Sequence, residues 1–248
     1  MPRKRSISVV VTCEHGGNRV PAEAQTHFRG AEQVLSSHRG WDPGALPLAK
    51  RFAGKLQVPL FNANVSRLVV ELNRSLTHPS LFSEFTRHRD SADRAQLLRK
   101  YWHPHRDRVQ QHIESVMNAQ SIVVHLSVHT FTEVLDNEVR TTDIGVLYDP
   151  RRKLEKELCS VWRRQLRKIN SAWSIRRNDP YRGSSDGFTT YLRKQFDPGQ
   201  YVGIELEVCQ KFFLQGGAAW EEILAHVPQS FIEAMSEFLG TVSVNASR

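Results

Sequence analysis

Three residues suited to hydrolytic chemistry lie in or after short apolar runs of this 248-residue sequence. His15 closely follows a β-branched run at 6–12, and His129 directly follows an apolar run at 121–128. Glu205 lies within a third run of this kind. Such runs predict buried strands. Because ligands bind at the carboxyl ends of strands in open α/β sheets, we expect both imidazoles at one sheet edge.

Two imidazoles at one edge of a sheet are typical of a zinc site. A catalytic zinc ion takes about three protein ligands, nitrogen or carboxylate oxygen, and keeps an open position for water. His15 and His129 are therefore predicted metal ligands. Asp42 precedes a predicted helix, so its carboxylate equally fits a metal ligand or a helix N-cap. Glu14 is disfavoured as a ligand because neighbours on a strand point to opposite faces.

Glu205 and Glu207 share one face of their predicted strand, since side chains alternate with a period of two. Buried carboxylates must pair, bind metal or change their pKa. We predict that Glu205 is the general base that activates a water molecule. The alternative is that both carboxylates lie on the exposed face of an edge strand.

Several polar side chains are candidates for recognition of an anionic substrate, because a guanidinium binds a carboxylate through two parallel hydrogen bonds. The pair Asn73-Arg74 is the strongest, since it follows a predicted strand at 68–72 and so lies near the same edge as the histidines. His103 and His105 either reach the site or lie on the surface. The candidate substrate-binding residues are Arg67, Asn73, Arg74, Arg140 and Arg182.

The order of elements predicts one α/β domain over residues 1–248, with a mostly parallel mixed sheet covered by helices on both faces. The turn-rich segment 178–187 is a predicted functional loop. Predicted strands are 6–12, 58–61, 68–72, 121–128, 143–148 and 201–208. Predicted helices are 45–56, 93–117 with an interruption near Pro104, 154–169, 188–196, and 218–239 with a break near Pro228.

Composition is that of a globular protein, with 40% hydrophobic and 24% charged residues. The sequence has no apolar run long enough for a membrane span and no secretory signal, which predicts a cytoplasmic protein without membrane association. The net charge of +8 includes basic runs such as Arg3-Lys4-Arg5. Acidic residues are interspersed among the basic ones, which favours capture of a small dicarboxylate over nucleic-acid binding. For the oligomeric state, the sequence leaves both a monomer and a dimer as alternatives.

Six motifs together resemble the N-formylglutamate amidohydrolase family, over residues from about 9 to 210. They are Val11-Thr-Cys-Glu-His-Gly-Gly-Asn-Arg-Val-Pro21, Trp41-Asp-Pro-Gly-Ala45, Val65-Ser-Arg-Leu-Val-Val-Glu-Leu-Asn-Arg74, Val128-His-Thr-Phe131, Arg140-Thr-Thr-Asp-Ile-Gly145 and Gly203-Ile-Glu-Leu-Glu207. The wider resemblance is to zinc carboxypeptidase-like hydrolases, including aspartoacylase and succinylglutamate desuccinylase. That group implies a three-layer α/β/α sandwich of the phosphorylase/hydrolase-like kind.

The resemblance implies roles for residues that match the family motifs. His15 and His129 match the two zinc histidines, Asn73-Arg74 matches a substrate-binding pair, and 203–205 is similar to the segment with the catalytic glutamate. Arg67 is similar to an additional substrate arginine. Arg74 is further expected to offset negative charge that develops during the reaction.

One position departs from the wider group. Asn18 stands where that group has its metal-binding glutamate, three residues after the first histidine. The third ligand must therefore come from elsewhere, with Asp42 first and Glu71 and Glu14 behind it. The implied activity is zinc-dependent cleavage, with one Zn²⁺ ion, of a small N-acyl amino acid such as N-formylglutamate. Alternatives are another acyl-amino acid, a peptide end, or a binding protein without catalysis.

Overall fold

Six strands form one mixed sheet in the computed structural model of the chain, which describes residues 6–245, with side chains up to residue 240. The sheet order is β2-β1-β3-β8-β6-β7. The first four strands of this order are parallel, whereas β6 runs antiparallel to β8 and parallel to β7. The predicted mostly parallel mixed sheet is confirmed. The strands are β1 Ser6–Cys13, β2 Leu60–Asn62, β3 Ser121–Phe131, β6 Ile144–Leu147, β7 Ile175–Arg177 and β8 Tyr201–Cys209, with a separate hairpin of β4 Val134–Leu135 and β5 Glu138–Val139.

Helices cover both faces of the sheet, as the predicted α/β/α sandwich requires. Helices α2, α5 and α8 pack on one face, and α4 and α6 pack on the other. The α-helices are α1 Glu32–Ser36, α2 Ala45–Leu56, α3 Ser91–Leu97, α4 His103–Val116, α5 Lys153–Ile169, α6 Phe188–Gln195, α7 Lys211–Gln215 and α8 Gly217–Asn245. A 3₁₀ helix spans Ala22–Phe28, and a π-helical turn at Leu98–Trp102 joins α3 to α4.

The central strands are buried on both faces because helices cover them. All eleven residues of β3 are buried, which matches the continuous apolar run from which the strand is predicted. On the outer layer, Leu158, Trp162 and Leu166 of α5 follow a spacing of four residues and are fully buried. Trp162 packs edge-on against Phe231 of α8 at a centroid distance of 4.7 Å. Helical periodicity therefore determines which face of α5 enters the core.

Two predicted features are wrong. Residues 68–72 form turns and not a strand, because their apolar side chains pack into two small clusters with loop residues, α3 and the π-helical turn. A short apolar run does not distinguish these environments. Helix α8 continues through Pro228 without a break. Val227 and Phe231 on either side of Pro228 are fully buried, and their packing offsets the loss of one backbone hydrogen bond.

The interruption predicted near Pro104 is present, since Pro104 is the second residue of α4 and follows the π-helical turn.

All three cysteines are buried and unpaired. Within residues 6–245, no helix has both the length and the apolar character needed to cross a membrane. The basic run Arg3-Lys4-Arg5 lies outside the described residues.

Candidate active site

His15 and His129 lie side by side at the carboxyl ends of β1 and β3. These strands are parallel neighbours, with Thr12 paired to Ser127, so His15 directly beyond β1 and His129 near the end of β3 meet at one edge. The two ring centroids are 4.9 Å apart, and both side chains are buried. The structure therefore brings together two imidazoles that are 114 residues apart in the sequence.

Asp42 lies between the two imidazoles. Its Oδ2 atom is 2.9 Å from Nδ1 of His129 and 3.2 Å from Nδ1 of His15. Helix α2 begins after Asp42, and its N-cap is Gly44, whose φ of 90° is strained for any residue with a side chain. A Cβ atom on Gly44 would also lie 2.9 Å from Phe213. The Asp42 carboxylate is therefore part of the histidine cluster and not a helix cap.

The other two candidates for a third ligand contact the opposite nitrogens of the rings. Glu71 Oε1 is 2.5 Å from His15 Nε2. Glu14 Oε2 is 3.2 Å from His129 Nε2, which also lies 2.8 Å from Ser127 Oγ. Each imidazole thus has Asp42 on its Nδ1 side and a separate carboxylate on its Nε2 side.

The cluster of His15, Asp42 and His129 fits a metal ion in geometry. One ligand atom from each lies within 4.8 Å of the other two. Tetrahedral bonds of about 2.0–2.1 Å place neighbouring ligand atoms about 3.3 Å apart, close to the two measured separations from Asp42. The Asn18 side chain instead donates to the backbone of Leu35 at 3.0 Å, away from this cluster.

The charges around the cluster also fit a divalent cation. Among the described side chains, three carboxylates and the guanidinium of Arg67 lie within ion-pair distance of the cluster or of each other. If both imidazoles are neutral, the negative charges of the three carboxylates exceed the single positive charge of Arg67 by two. Burying such charges is costly unless they are paired or bind metal. The three carboxylates are Glu14, Asp42 and Glu71.

The pKa values of these groups follow from the same contacts. Burial would raise the pKa of each carboxyl group, but hydrogen bonds and attraction from neighbouring positive groups outweigh it and hold all three well below their usual range. For His129, burial favours the neutral ring, yet the hydrogen bonds to Asp42 and Glu14 raise its pKa well above the usual value. The carboxylates are therefore charged at neutral pH.

A cavity of about 400 Å³ opens beside the cluster, which is a size suited to a small molecule. It brings together all the predicted site residues except Arg140. The predicted residues that line it are His15, Asp42, Arg67, Asn73, Arg74, His129, Arg182 and Glu205. The remaining lining residues are Thr130, Pro180, Tyr181, Ser185, Asp186 and Glu207.

The three arginines of the cavity differ in their partners. Arg67 donates to Glu71 Oε2 and Asp42 Oδ1, so its guanidinium is already bound by carboxylates. Arg74 donates from NH1 to the backbone oxygen of Asp186 at 2.6 Å. Within the described part of the chain, no hydrogen bond or ion pair engages the guanidinium of Arg182. Arg182 is thus the cavity cation best placed to accept a new anionic partner.

Arg140 and Asn73 differ in their position relative to the cavity. Arg140 lies outside the lining and donates to the hydroxyl of Tyr181 at 2.9 Å, with its guanidinium over the same ring. Its role as a substrate ligand stays a prediction. Asn73 uses Oδ1 to accept a hydrogen bond from the backbone of Phe188 at 2.7 Å, which fixes the amide group in the wall of the cavity.

Glu205 and Glu207 both face the cavity from β8, as strand periodicity predicts. Because β8 lies between β3 and β6, the alternative of an exposed edge strand is wrong. Glu205 Oε1 accepts a hydrogen bond from the hydroxyl of Thr189. Glu207 is buried, its Oε2 has no hydrogen-bond partner within the described residues, and burial raises its pKa to about 8.

The loop 178–187 forms the second wall of the cavity. It lies against β6 where Gly145 has no side chain, and a Cβ atom there would overlap the backbone oxygen of Asp179. Arg193 of α6 donates to the backbone oxygen of Gly183 at 2.6 Å and so holds the loop in position. The prediction of a functional loop identifies this segment, although its individual residues Tyr181, Ser185 and Asp186 are not distinguished in sequence.

Fold and site together define the class: an α/β/α protein with a candidate metal site in a small-molecule cavity at the carboxyl ends of parallel strands. The chain belongs to the N-formylglutamate amidohydrolase family, whose model matches residues 7–214. This membership confirms the resemblance found in the sequence and supports hydrolysis of amide bonds as the activity. A search of curated proteins finds no match to the chain.

Two solved structures are similar to this one. A gene product of Agrobacterium tumefaciens is 27% identical, with a TM-score of 0.80 over 92% of this chain and 90% of that chain. An N-formylglutamate amidohydrolase from Ralstonia eutropha is 15% identical, with a TM-score of 0.65 over 97% of both chains. At that identity the second likeness shows a shared fold.

Proposed function

We propose that this protein is a zinc-dependent amidohydrolase that cleaves the amide of a small N-acyl amino acid such as N-formylglutamate. The observation that carries the proposal is the convergence of His15, Asp42 and His129 beside a cavity lined by Arg182, whose guanidinium has no partner among the described residues. Family membership supports the amide substrate. When bound, Zn²⁺ supplies a Lewis acid that polarises the scissile carbonyl and lowers the pKa of water.

The side chains of the cavity have separate tasks in this reaction. Arg182 and Arg74 bind the substrate carboxylates, and the Nδ2 group of Asn73 is available to donate to the amino-acid part. These contacts hold the amide next to the cluster and restrict its orientation. Arg74 also offsets the negative charge that develops on the carbonyl oxygen.

Glu205 is the general base. It takes the proton of the attacking water and returns it to the leaving amine. Its orientation supports this assignment, because the hydroxyl of Thr189 holds Oε1, and a base is positioned by a third group in such sites. Glu207 lies on the same face but has one oxygen without a partner within the described residues.

The proposal is tested by metal analysis and by hydrolysis of an acyl-amino-acid panel. We expect one zinc ion per chain, and release of free amine from N-formylglutamate that stops after treatment with a chelator and returns with Zn²⁺. The panel includes N-acetylglutamate, N-formylmethionine and a short peptide, and discriminates the substrate alternatives. A protein without stoichiometric metal that hydrolyses none of these compounds would contradict the proposal and favour a binding role.

A further inference from the structure

The outer nitrogen of each cluster imidazole faces its own buried carboxylate. His15 Nε2 is 2.5 Å from Glu71 Oε1, and His129 Nε2 is 3.2 Å from Glu14 Oε2. Both carboxylates are at most 5% exposed. An ionised carboxylate only accepts hydrogen bonds, so His15 Nε2 carries the proton in its contact with Glu71. The Ser127 hydroxyl donates to Glu14, so His129 Nε2 also carries a proton and donates it to Ser127 Oγ at 2.8 Å. Nδ1 of each ring faces the Asp42 carboxylate, so a metal ion bound there would replace the Nδ1 protons while the Nε2 protons stay in place.

We propose that Glu14 and Glu71 are positioning residues of the metal centre, which hold both imidazoles in the tautomer that presents Nδ1 to the ion. The inference rests on the proposed function. It removes Glu14 and Glu71 from the ligand set and gives them a different task. A histidine ligand whose second nitrogen donates to a carboxylate is held in orientation and becomes a stronger metal donor.

The two carboxylates are themselves held by different parts of the fold. Arg67 donates to Glu71 Oε2 from Nε at 2.7 Å, and the backbone N–H of Asn73 donates to Glu71 Oε1 at 3.0 Å. Glu71 is therefore fixed within the segment 65–74. Since Arg67 also reaches Asp42, one guanidinium links a ligand to a positioning residue.

Glu14 is held by Ser127 and His105. The Ser127 hydroxyl donates to Glu14 Oε2 at 2.7 Å, and His105 Nε2 of α4 lies 3.6 Å from Glu14 Oε1. Within the described residues, Glu14 Oε1 and both ring nitrogens of His105 have no hydrogen-bond partner. Because Glu14 Oε1 and His105 Nε2 face each other and neither atom has another partner among the described residues, we assign His105 to Glu14. His105 thus reaches the site, through Glu14 and not through the cavity.

The experiment compares zinc affinity in the full-length chain by competition with a chelating dye. We expect Glu14→Gln and Glu71→Gln, which keep side-chain size, to weaken zinc binding about 10–100-fold. Glu205→Gln is the matched control, because it faces the same cavity without contacting the imidazoles, and we expect its zinc affinity to equal that of the wild type. Circular dichroism of the metal-free variants establishes that they are folded.

A second measurement does not depend on any variant. Nitrogen-15 NMR of the imidazoles in the zinc-loaded wild type is expected to show metal-bound Nδ1 and protonated Nε2 for both His15 and His129. Wild-type affinity in both glutamine variants, or metal bound through Nε2, would overturn the inference while leaving the proposed function intact. A wild-type chain that binds no zinc would instead overturn the proposed function.

Discussion

Arg193 and Glu155 form a buried ion pair, with Nε of the arginine 2.9 Å from Oε1 of the glutamate. The pair joins both walls of the cavity. Arg193 donates to the backbone oxygens of Gly183 in the loop 178–187 and of Gly203 in β8. Glu155 accepts from the backbone N–H of Gly203. The position of the loop relative to Glu205 therefore depends on this pair.

Replacement of Arg193 by methionine is expected to lower the free energy of unfolding by about 3–5 kcal/mol, because it leaves the buried Glu155 with only the longer contact to Arg152 Nε at 3.4 Å. Urea unfolding measures the loss. The matched control is Arg164→Met, which breaks an exposed ion pair with Glu237 and is expected to cost less than about 1 kcal/mol. Equal losses in the two variants would contradict a special role for the buried pair.

Glu205→Gln is expected to lower kcat about 10²–10⁴-fold, because the amide cannot take up the proton of the attacking water. Zinc content should be unchanged, which is checked by elemental analysis of the same samples. Glu138→Gln on the exposed hairpin serves as the control and should leave kcat unaltered. Near-wild-type turnover of the zinc-loaded Glu205→Gln variant would show that another group is the base.

Replacement of Arg182 and replacement of Arg67 are expected to affect different properties of the protein. Arg182→Met removes a guanidinium without protein partners in the described residues, and loss of a charge-assisted hydrogen bond of about 1.5–3 kcal/mol raises KM about 10–100-fold. Arg67→Met leaves Glu71 and Asp42 without their cation and should reduce stability and zinc content. Steady-state kinetics, elemental analysis and urea unfolding separate the two effects. A higher KM with full zinc content in Arg67→Met would instead support the predicted role of Arg67 in substrate binding.

His125 is expected to make stability depend on pH. Its ring is fully buried between the hydroxyls of Thr12 and Tyr201, and burial lowers its pKa to about 4. An unfolded histidine has a pKa of about 6.5, so the unfolded chain gains a proton first as pH falls. Stability is therefore lost progressively from about pH 6.5 to pH 4, by about 3 kcal/mol from this group.

Urea unfolding between pH 7 and pH 4 checks this expectation for wild type and His125→Gln. The variant should lose less stability over that range, since it has no group to protonate. His226→Gln, which replaces an exposed histidine, is the control and should follow the wild type. Parallel pH profiles for all three proteins would show that His125 is not the source.

Much of the site could be predicted, because the parallel arrangement of the strands determines where its central residues lie. Alternating strands and helices predict a parallel sheet, and a parallel sheet places His15 and His129 at one edge whatever their separation in sequence. The face shared by Glu205 and Glu207 follows from strand periodicity alone. These features depend on periodic patterns, which are local properties of a sequence.

The remaining features depend on contacts between segments that no local pattern specifies. The turn at 42–45 decides that Asp42 contacts the imidazoles and does not cap α2. Ring orientation decides that Glu14 and Glu71 meet Nε2 atoms. Arg67 and Arg182 are the same residue type, and only their partners in three dimensions distinguish them. The turns at 68–72 are buried by loops, which hydrophobicity does not separate from burial in a sheet.

The absence of a side chain at Gly145 has a consequence for how new specificities arise. The loop that lies against it provides Tyr181, Arg182 and Ser185 to the cavity, whereas the residues of the histidine cluster all come from the first 131 positions. An exchange of this loop for one of another sequence would therefore redesign recognition while the chemistry stays in place. The loop 178–187 is therefore a suitable segment for exchange in protein engineering, provided that position 145 stays glycine.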